Sequence, residues 1–288
     1  MAATERFLIF DCDGDACVGV LALSLNRDGP PEVGIVIIAG GPQYRVGSHR
    51  QFTLLSRAVA QSGVPVLRFD YRGMGDSEGE RQTFESIDRD VAAAIDALQR
   101  ETNVSRVVLW GLCDGASAAL MYAPKDRRIA GIVAINPWAR SCQSEASTRL
   151  KHYYLQRLFS RAFWSKLVRG DFNVQDSRSD FVDALRRGLG DPPIDDSDYL
   201  GRMQHGWERF QHPVLFILSG NDFTAREFEG WVNGDRERRR LFQGRQSEIR
   251  TIENADHTFS NQVWRDRVAQ ATAEWLQRLN PIKGRATG

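Results

Sequence analysis

Short apolar runs rich in Val and Ile recur along the chain and alternate with segments whose apolar residues follow helical spacing. Such runs are typical of strands buried on both faces, and their alternation with helices is typical of a parallel sheet covered by helices on both sides. The predicted fold class is therefore α/β, with a mostly parallel central sheet. The apolar runs lie within residues 33–41, 65–73, 104–115, 128–138, 212–222 and 247–259.

The beginning of the chain follows a different pattern, because residues 6–13 and 16–25 are two apolar runs that flank a Gly14-Asp15 pair. Two such runs around a turn of this composition predict an antiparallel hairpin, which we place at the edge of the sheet. Cys12 and Cys17 are expected to face each other across this hairpin. A reducing compartment disfavours a disulfide or a metal role for them, so we predict no metal site.

The alternation of strands and helices stops after Trp138 and returns at His212. Residues 139–211 contain helical and loop patterns without a clear strand. We therefore predict a helical cap inserted between the two parts of one core, residues 1–138 and 212–288.

Charge is balanced over the whole chain, since 38 Lys and Arg residues oppose 37 Asp and Glu residues. A net charge of +1 gives no indication of a nucleic acid or an anionic membrane as partner. Residues 147–170 are locally basic, with six Lys or Arg and no acid. This amphipathic segment either packs on the core with solvated charges or receives an anionic group such as an acyl carrier. The charged run 235–240 is expected to be a solvated loop.

Several further features place the chain among soluble, cytoplasmic proteins. Four cysteines in 288 residues are too few for a disulfide scaffold. No stretch approaches the roughly 18 apolar residues that a membrane span needs. Glu5 precedes any long apolar run, so no secretory signal is visible. The sequence leaves the oligomeric state open.

The residues Gly111-Leu112-Cys113-Asp114-Gly115 lie where a predicted strand runs into a predicted helix. This is the G-x-S-x-G nucleophile elbow with Cys in place of Ser. Such a turn forces the nucleophile into a strained conformation, and glycine neighbours let the chain pack around it. A helix N-terminus lowers a thiol pKa below its ordinary value of about 8.5. Cys113 is therefore the predicted nucleophile, against the alternative of a buried structural cysteine.

A nucleophile of this kind needs a base and an acid that orients the base, in the chain order nucleophile, acid, histidine. His257 stands in a polar loop after the last predicted strand, and it is the predicted base. Asp222 follows the strand before it, at the strand end where α/β sites collect, and it is the predicted acid. Asp256 is the alternative, disfavoured because adjacent side chains rarely orient one another.

Stabilising the transition state requires hydrogen-bond donors for the developing oxyanion. The backbone N–H of Asp114 is one predicted donor. The second is expected in the loop that begins at Gly40, where Pro42 has no N–H and the sequence leaves both Gly41 and Gln43 as candidates. The residues predicted to contact the substrate are Tyr44, His49, Tyr153 and Tyr154.

The segments GGPQYRVGSHRQF, PVLRFDYRGMGDSEG, LWGLCDGASAAL, AINPWAR and LKHYYLQRLFSRAFWSKL resemble the type 1 exosortase A system-associated hydrolases of Gram-negative bacteria. The resemblance covers nearly the whole chain. It implies an α/β-hydrolase fold with a helical cap and an association with exopolysaccharide and protein-sorting loci, without an established substrate. Dienelactone hydrolases and polyhydroxyalkanoate synthases are similar in the elbow, where they also carry Cys.

The predicted chemistry is acyl transfer through a thioester on Cys113. Water gives hydrolysis of an ester or thioester, whereas a bound alcohol, amine or thiol gives acyl transfer. We predict a hydrolase acting on a small or carrier-bound acyl substrate without a cofactor, and an acyltransferase is the alternative. A third alternative, from a different class, is a non-catalytic scaffold of exopolysaccharide assembly.

Overall fold

The structure is a computed structural model, and it describes residues 3–25, 31–41, 43–140 and 197–279. Apart from Arg140 and residues 197–200, these residues belong to one compact unit. The strands are β1 (Ala3–Cys12), β2 (Asp15–Ser24), β3 (Val33–Ile38), β4 (Val66–Phe69), β5 (Arg106–Leu112), β6 (Ile129–Ile135), β7 (Val214–Ser219) and β8 (Ser247–Ile252). The α-helices are α1 (Gln51–Gln61), α2 (Asp88–Thr102), α3 (Asp114–Tyr122), α4 (Ser197–Arg209), α5 (Phe223–Asn233), α6 (Arg236–Phe242) and α7 (Gln262–Leu279).

The eight strands form one sheet in the order β1-β2-β4-β3-β5-β6-β7-β8. The pairs β1–β2 and β2–β4 are antiparallel, and every pair from β4 to β8 is parallel. The predicted mostly parallel sheet is confirmed. Because parallel strands all end at one edge, the loops after β3, β5, β6, β7 and β8 emerge on the same side of the sheet.

The central strands explain the continuous apolar runs in the sequence, since every residue of β3, β6 and β7 is buried. Adjacent residues of β3 face opposite sides of the sheet. A Cβ on Gly34 would lie 2.9 Å from Leu98 of α2. Its neighbour Ile35 belongs instead to the core cluster that contains Phe52 of α1 and Trp275 of α7. Helices therefore cover both faces, as predicted.

The predicted edge hairpin is present, but its turn lies one residue earlier than expected. Asp13 and Gly14 form the turn, with φ of 56° and 93°. Two consecutive positive φ values are what a tight turn between twisted strands requires. As a result Cys12 pairs with Asp15 and Cys17 pairs with Phe10, so the two cysteines are diagonal neighbours and not direct partners.

The charged run 235–240 was expected to be a loop, and that prediction is wrong, because it lies almost entirely in helix α6. The side chain of Asp235 caps this helix by accepting a hydrogen bond from the Arg238 N–H at 2.9 Å. An acid at this position satisfies an N–H that the helix leaves unpaired.

The helical cap stays a prediction, because residues 141–196 lie outside the described part of the chain. Helix α4 falls within its predicted range of 139–211. Among the described residues, no helix has the length and apolar character that a membrane crossing requires.

Candidate functional site

The turn at Cys113 connects the end of β5 to the start of α3, and Cys113 has φ 59° and ψ −125°. A positive φ is strained for a residue with a side chain and is common at functional sites. A Cβ on Gly111 would lie 2.3 Å from the Gly115 carbonyl oxygen, and a Cβ on Gly115 would lie 2.5 Å from that of Ile38. Only glycine fits at either position. The Cys113 N–H donates to the Ile135 carbonyl oxygen at 2.9 Å, which fixes the turn against β6.

His257 and Asp222 come together at the same edge of the sheet, in the loops after β8 and β7. The Nδ1 atom of His257 lies 2.9 Å from Oδ2 of Asp222. Asp222 is 8% exposed and also accepts a hydrogen bond from the Ala225 N–H at the start of α5, at 3.1 Å. A helix N-terminus favours a negative charge. The carboxylate therefore holds the proton of His257 on Nδ1 and leaves Nε2 able to accept one.

Asp256, the alternative acid, forms hydrogen bonds within its own loop. Its Oδ1 accepts hydrogen bonds from the Thr258 and Ser260 N–H groups at 3.1 and 3.0 Å, and its Oδ2 accepts one from the Ser260 hydroxyl. Burial raises the pKa of this carboxyl, but these hydrogen bonds outweigh it and hold the pKa below its ordinary value. Asp256 thus shapes the loop that carries His257, and Asp222 is the acid bonded to the imidazole.

Sequence reasoning missed Asn136, which follows β6, is fully buried and has φ 42°. Its Nδ2 donates to the Ser219 hydroxyl at 2.9 Å and to the His257 carbonyl oxygen at 3.2 Å, while its Oδ1 accepts from the Ser219 N–H at 2.8 Å. The Ser219 hydroxyl donates in turn to the Asp256 carbonyl oxygen at 2.9 Å. Asn136 therefore joins the loop before Asp222 to the loop of His257. The only sequence signal was a polar residue directly after a buried strand.

The loop after β3 packs directly on the elbow. The Gly41 N–H donates to Oδ1 of Asp114 at 2.5 Å, so this candidate donor points at the elbow. The side chain of Gln43 serves the loop itself, because its Oε1 accepts a hydrogen bond from the Ser48 N–H at 3.1 Å. Pro42 lies outside the described residues.

Asp70, which follows β4, holds the loop after β3 in place. Its buried carboxylate accepts a hydrogen bond from the Arg45 N–H at 2.6 Å, forms an ion pair with the Arg45 guanidinium, and accepts from the Asp76 N–H at 3.1 Å. A Cβ on Gly75 would lie 2.2 Å from this carboxylate. One buried charge thus holds two loops of the site edge, a role that sequence reasoning did not assign.

The remaining predicted contact residues are placed unevenly. Tyr44 is 47% exposed, and the Arg45 guanidinium lies 5.7 Å from the centre of its ring. His49 has φ 52° and lies in a short 3-10 turn directly before α1. Tyr153 and Tyr154 lie outside the described residues.

Cys12 and Cys17 form a buried cluster with Asp90, in which the ligand atoms of the three residues lie within 4.8 Å of one another. The carboxylate of Asp90 is already paired with Arg72. Its N–H donates to Oδ1 at 2.8 Å, and its Nε and Nη2 atoms each donate to one carboxylate oxygen at 3.1 Å. A guanidinium that takes both oxygens opposes a cation at the same place, so we propose no metal site there.

We expect alkylation to distinguish the three cysteines that the structure describes, Cys12, Cys17 and Cys113. Burial raises the pKa of Cys12 to about 11 and that of Cys17 to about 12, whereas Cys113 is partly exposed. Because the thiolate is the reactive form, limiting iodoacetamide at pH 8 should modify Cys113 at least about 100-fold faster than the two buried thiols. Peptide mass spectrometry measures the three rates, and the guanidinium-unfolded chain, in which the rates should converge, is the control. Faster labelling of Cys12 in the folded protein would contradict the structure.

Comparison with known proteins agrees with this architecture. The family model described as "Alpha/beta hydrolase family" matches residues 35–271. Protein ABHD12B of Homo sapiens is 34% identical over 93 residues, which are 32% of this chain and 24% of that protein. The polyketide transferase grgF of a Penicillium species is 32% identical over 88 residues, 29% of this chain and 30% of that protein. The chain therefore matches less than a third of either relative's length.

Among solved structures, the Pyrococcus furiosus esterase PF2001 superimposes with a TM-score of 0.64 at 16% identity. The superposition covers 96% of this chain and 91% of the esterase. At this level of identity the likeness establishes the fold, and the chemistry has to be argued from the residues of this chain.

Proposed function

The chain belongs to the alpha/beta hydrolase family, and from this premise we propose that it hydrolyses ester or thioester bonds with Cys113 as nucleophile, His257 as base and Asp222 as the acid that orients the base. The observation that carries the proposal is the 2.9 Å contact between His257 Nδ1 and Asp222 Oδ2. This contact joins two loops 35 residues apart in sequence, at the sheet edge where the strained Cys113 turn also emerges.

The proposed reaction has two halves. His257 Nε2 takes the Sγ proton of Cys113, and the sulfur attacks the acyl carbonyl carbon to give a tetrahedral oxyanion. When the carbonyl re-forms, the bond to the leaving group breaks, and the leaving group receives the proton from His257. The acyl group is then a thioester on Cys113. Water, deprotonated by His257, attacks this thioester and releases the acid and the thiol.

The thioester can equally be attacked by an alcohol, an amine or a thiol, and transfer to such an acceptor is the second candidate function. The match to a polyketide transferase favours it over a role without catalysis. A non-catalytic scaffold has no need for a buried acid bonded to a histidine, so the His257–Asp222 contact argues against the scaffold alternative.

We further propose that the acyl group is carrier-bound and that the reaction takes place in the cytoplasm. The resemblance to exosortase A system-associated hydrolases and the basic segment 147–170 support a carrier-bound acyl substrate in the cytoplasm. Segment 147–170 lies outside the described residues, so this part rests on the sequence.

Trapping the acyl-enzyme tests the function directly. The protein is mixed with a panel of p-nitrophenyl esters and acyl thioesters, quenched in acid and weighed by intact mass spectrometry. We expect an added mass equal to one acyl group, located on Cys113 by peptide mapping. Added alcohol or amine acceptors divert the product if transfer competes with hydrolysis. A chain that neither releases p-nitrophenol nor gains mass with any member of the panel would support the scaffold alternative.

A further inference from the structure

The side chain of Asp114 lies where the proposed reaction needs an empty anion site. The Gly41 N–H, one of the two candidate oxyanion donors from the β3 loop, donates to Oδ1 of Asp114 at 2.5 Å. The backbone N–H groups of Asp114 and Gly115 act on the same carboxyl group. The Asp114 N–H is itself the other predicted oxyanion donor. One carboxylate thus accepts a hydrogen bond from the β3-loop donor and belongs to the residue whose own N–H is the elbow donor.

The surrounding backbone leaves this arrangement little freedom. A Cβ on Gly40 would lie 2.0 Å from the Leu112 carbonyl oxygen and 2.5 Å from Oδ1 of Asp114, so the β3 loop already touches the elbow. The loop is also held by the Asp70 carboxylate through the Arg45 N–H and guanidinium. The Gly41 N–H is therefore held near the elbow by backbone contacts, whereas the Asp114 carboxylate can leave it by rotation about the χ angles of its own side chain.

The interactions of the Asp114 carboxyl group also allow it to leave the Gly41 N–H. Burial raises the pKa of Asp114 above its ordinary value, although the backbone N–H groups, that of Gly41 first, lower it. Desolvation thus outweighs the hydrogen bonds that hold the anion.

We propose that the Asp114 carboxylate occupies the oxyanion hole of the resting protein and that the carbonyl oxygen of the substrate must displace it. The inference rests on the proposed function, since an oxyanion hole has a use only if Cys113 forms a tetrahedral adduct. Displacement makes Asp114 a self-blocking group. In each acylation the hydrogen bond from the Gly41 N–H to Asp114 first breaks. The Gly41 N–H then donates to the substrate oxyanion.

We therefore expect removal of the carboxylate to raise both the affinity for an oxyanion-forming ligand and the rate of acylation. A hydrogen bond to a charged acceptor is roughly twice as strong as a neutral one. Asp114→Ala should therefore bind a substrate-like aldehyde, which adds reversibly to Cys113 as a hemithioacetal, at least about tenfold more tightly than the wild type. The rate of acylation by a p-nitrophenyl ester should rise in parallel. Asp114→Asn keeps the shape and an amide acceptor without the charge, and it should fall between the two.

A second probe separates the oxyanion hole from the thiol. An anion beside Cys113 disfavours its thiolate, so removing Asp114 could raise reactivity without involving the hole. Iodoacetamide alkylates the thiolate and forms no oxyanion. We expect Asp114→Ala to change the iodoacetamide rate by a much smaller factor than it changes aldehyde affinity and acylation. Asp88→Asn, which removes an exposed acid paired with Lys125, is the control for net charge and should change none of the three.

Three results would contradict the proposed role of Asp114 or the proposed function. Equal changes in alkylation and acylation would overturn the proposal, because the effect would then come from the thiolate. Unchanged or weaker aldehyde binding in Asp114→Ala, with a thermal midpoint near that of the wild type, would also overturn it and would make Asp114 a positioning residue for the β3 loop. If Asp114→Ala is poorly folded, Asp114→Asn gives the same test. Absence of any Cys113 adduct in the wild type would instead remove the proposed function itself.

Discussion

Cys113→Ala is expected to abolish ester and thioester turnover and to leave the fold intact. The thiol is the proposed bond-forming group, and removing the nucleophile of such a relay costs on the order of several powers of ten in rate. The side chain is partly exposed and lies at the edge of the core, so its loss should leave little cavity. The measurements are initial rates with the most active ester of the panel, together with circular dichroism and the thermal midpoint.

Cys113→Ser is the matched variant, since it keeps the size of the side chain and a nucleophilic atom. We expect it to form an oxygen ester in place of a thioester, and neutral hydroxylamine should remove the acyl group from the wild type far faster than from this variant. Turnover by Cys113→Ala at a rate near that of the wild type would refute the assignment of the nucleophile, because this variant has no thiol at the elbow.

His257→Ala is expected to cost about as much as Cys113→Ala, on the order of several powers of ten in kcat/KM, because one proton relay is disabled in both. Asp222→Ala should cost less, since Asp222 orients the imidazole and forms no bond to the substrate. The double variant should be no slower than His257→Ala alone, because the acid has no ring left to orient. Rates of acylation for the three variants, measured with one ester, give the comparison.

Asp256→Asn is the control for this pair, because it removes a charge next to His257 from a carboxylate that is bonded to Thr258 and Ser260. We expect a smaller loss of activity than for Asp222→Asn. A larger loss in Asp256→Asn, at equal thermal stability, would move the role of the acid to Asp256.

The sheet and the elbow were predictable from the sequence because their determinants are local. Buried parallel strands need continuous apolar runs such as the one in β3, and the turn at Cys113 needs glycine on both sides, so each left a direct trace in the order of residues. The contact of His257 with Asp222 was also accessible from the sequence, because residues adjacent in the chain, such as Asp256 and His257, rarely orient one another's side chains.

Errors arose where a single local contact changes the outcome. The edge turn lies at Asp13 and Gly14 because both residues take positive φ, which apolar patterning does not report. The run 235–240 lies almost entirely in a helix because Asp235 caps it, although the residues that follow are charged. In both cases one turn residue or one cap decided the backbone conformation against the average of the neighbouring residues.

The sequence by itself thus determined the sheet, the elbow and the order of the three proposed catalytic residues, because periodicity, glycine sterics and chain order are properties of neighbours along the chain. The tertiary structure alone decided that Asn136 joins the loops of Ser219 and His257, that Asp70 holds the β3 loop, and that the Asp114 carboxylate faces the Gly41 N–H. These contacts join residues 25 to 121 positions apart. Hydrogen bonds at such separations depend on how strands are ordered and how loops meet, and no local pattern encodes that.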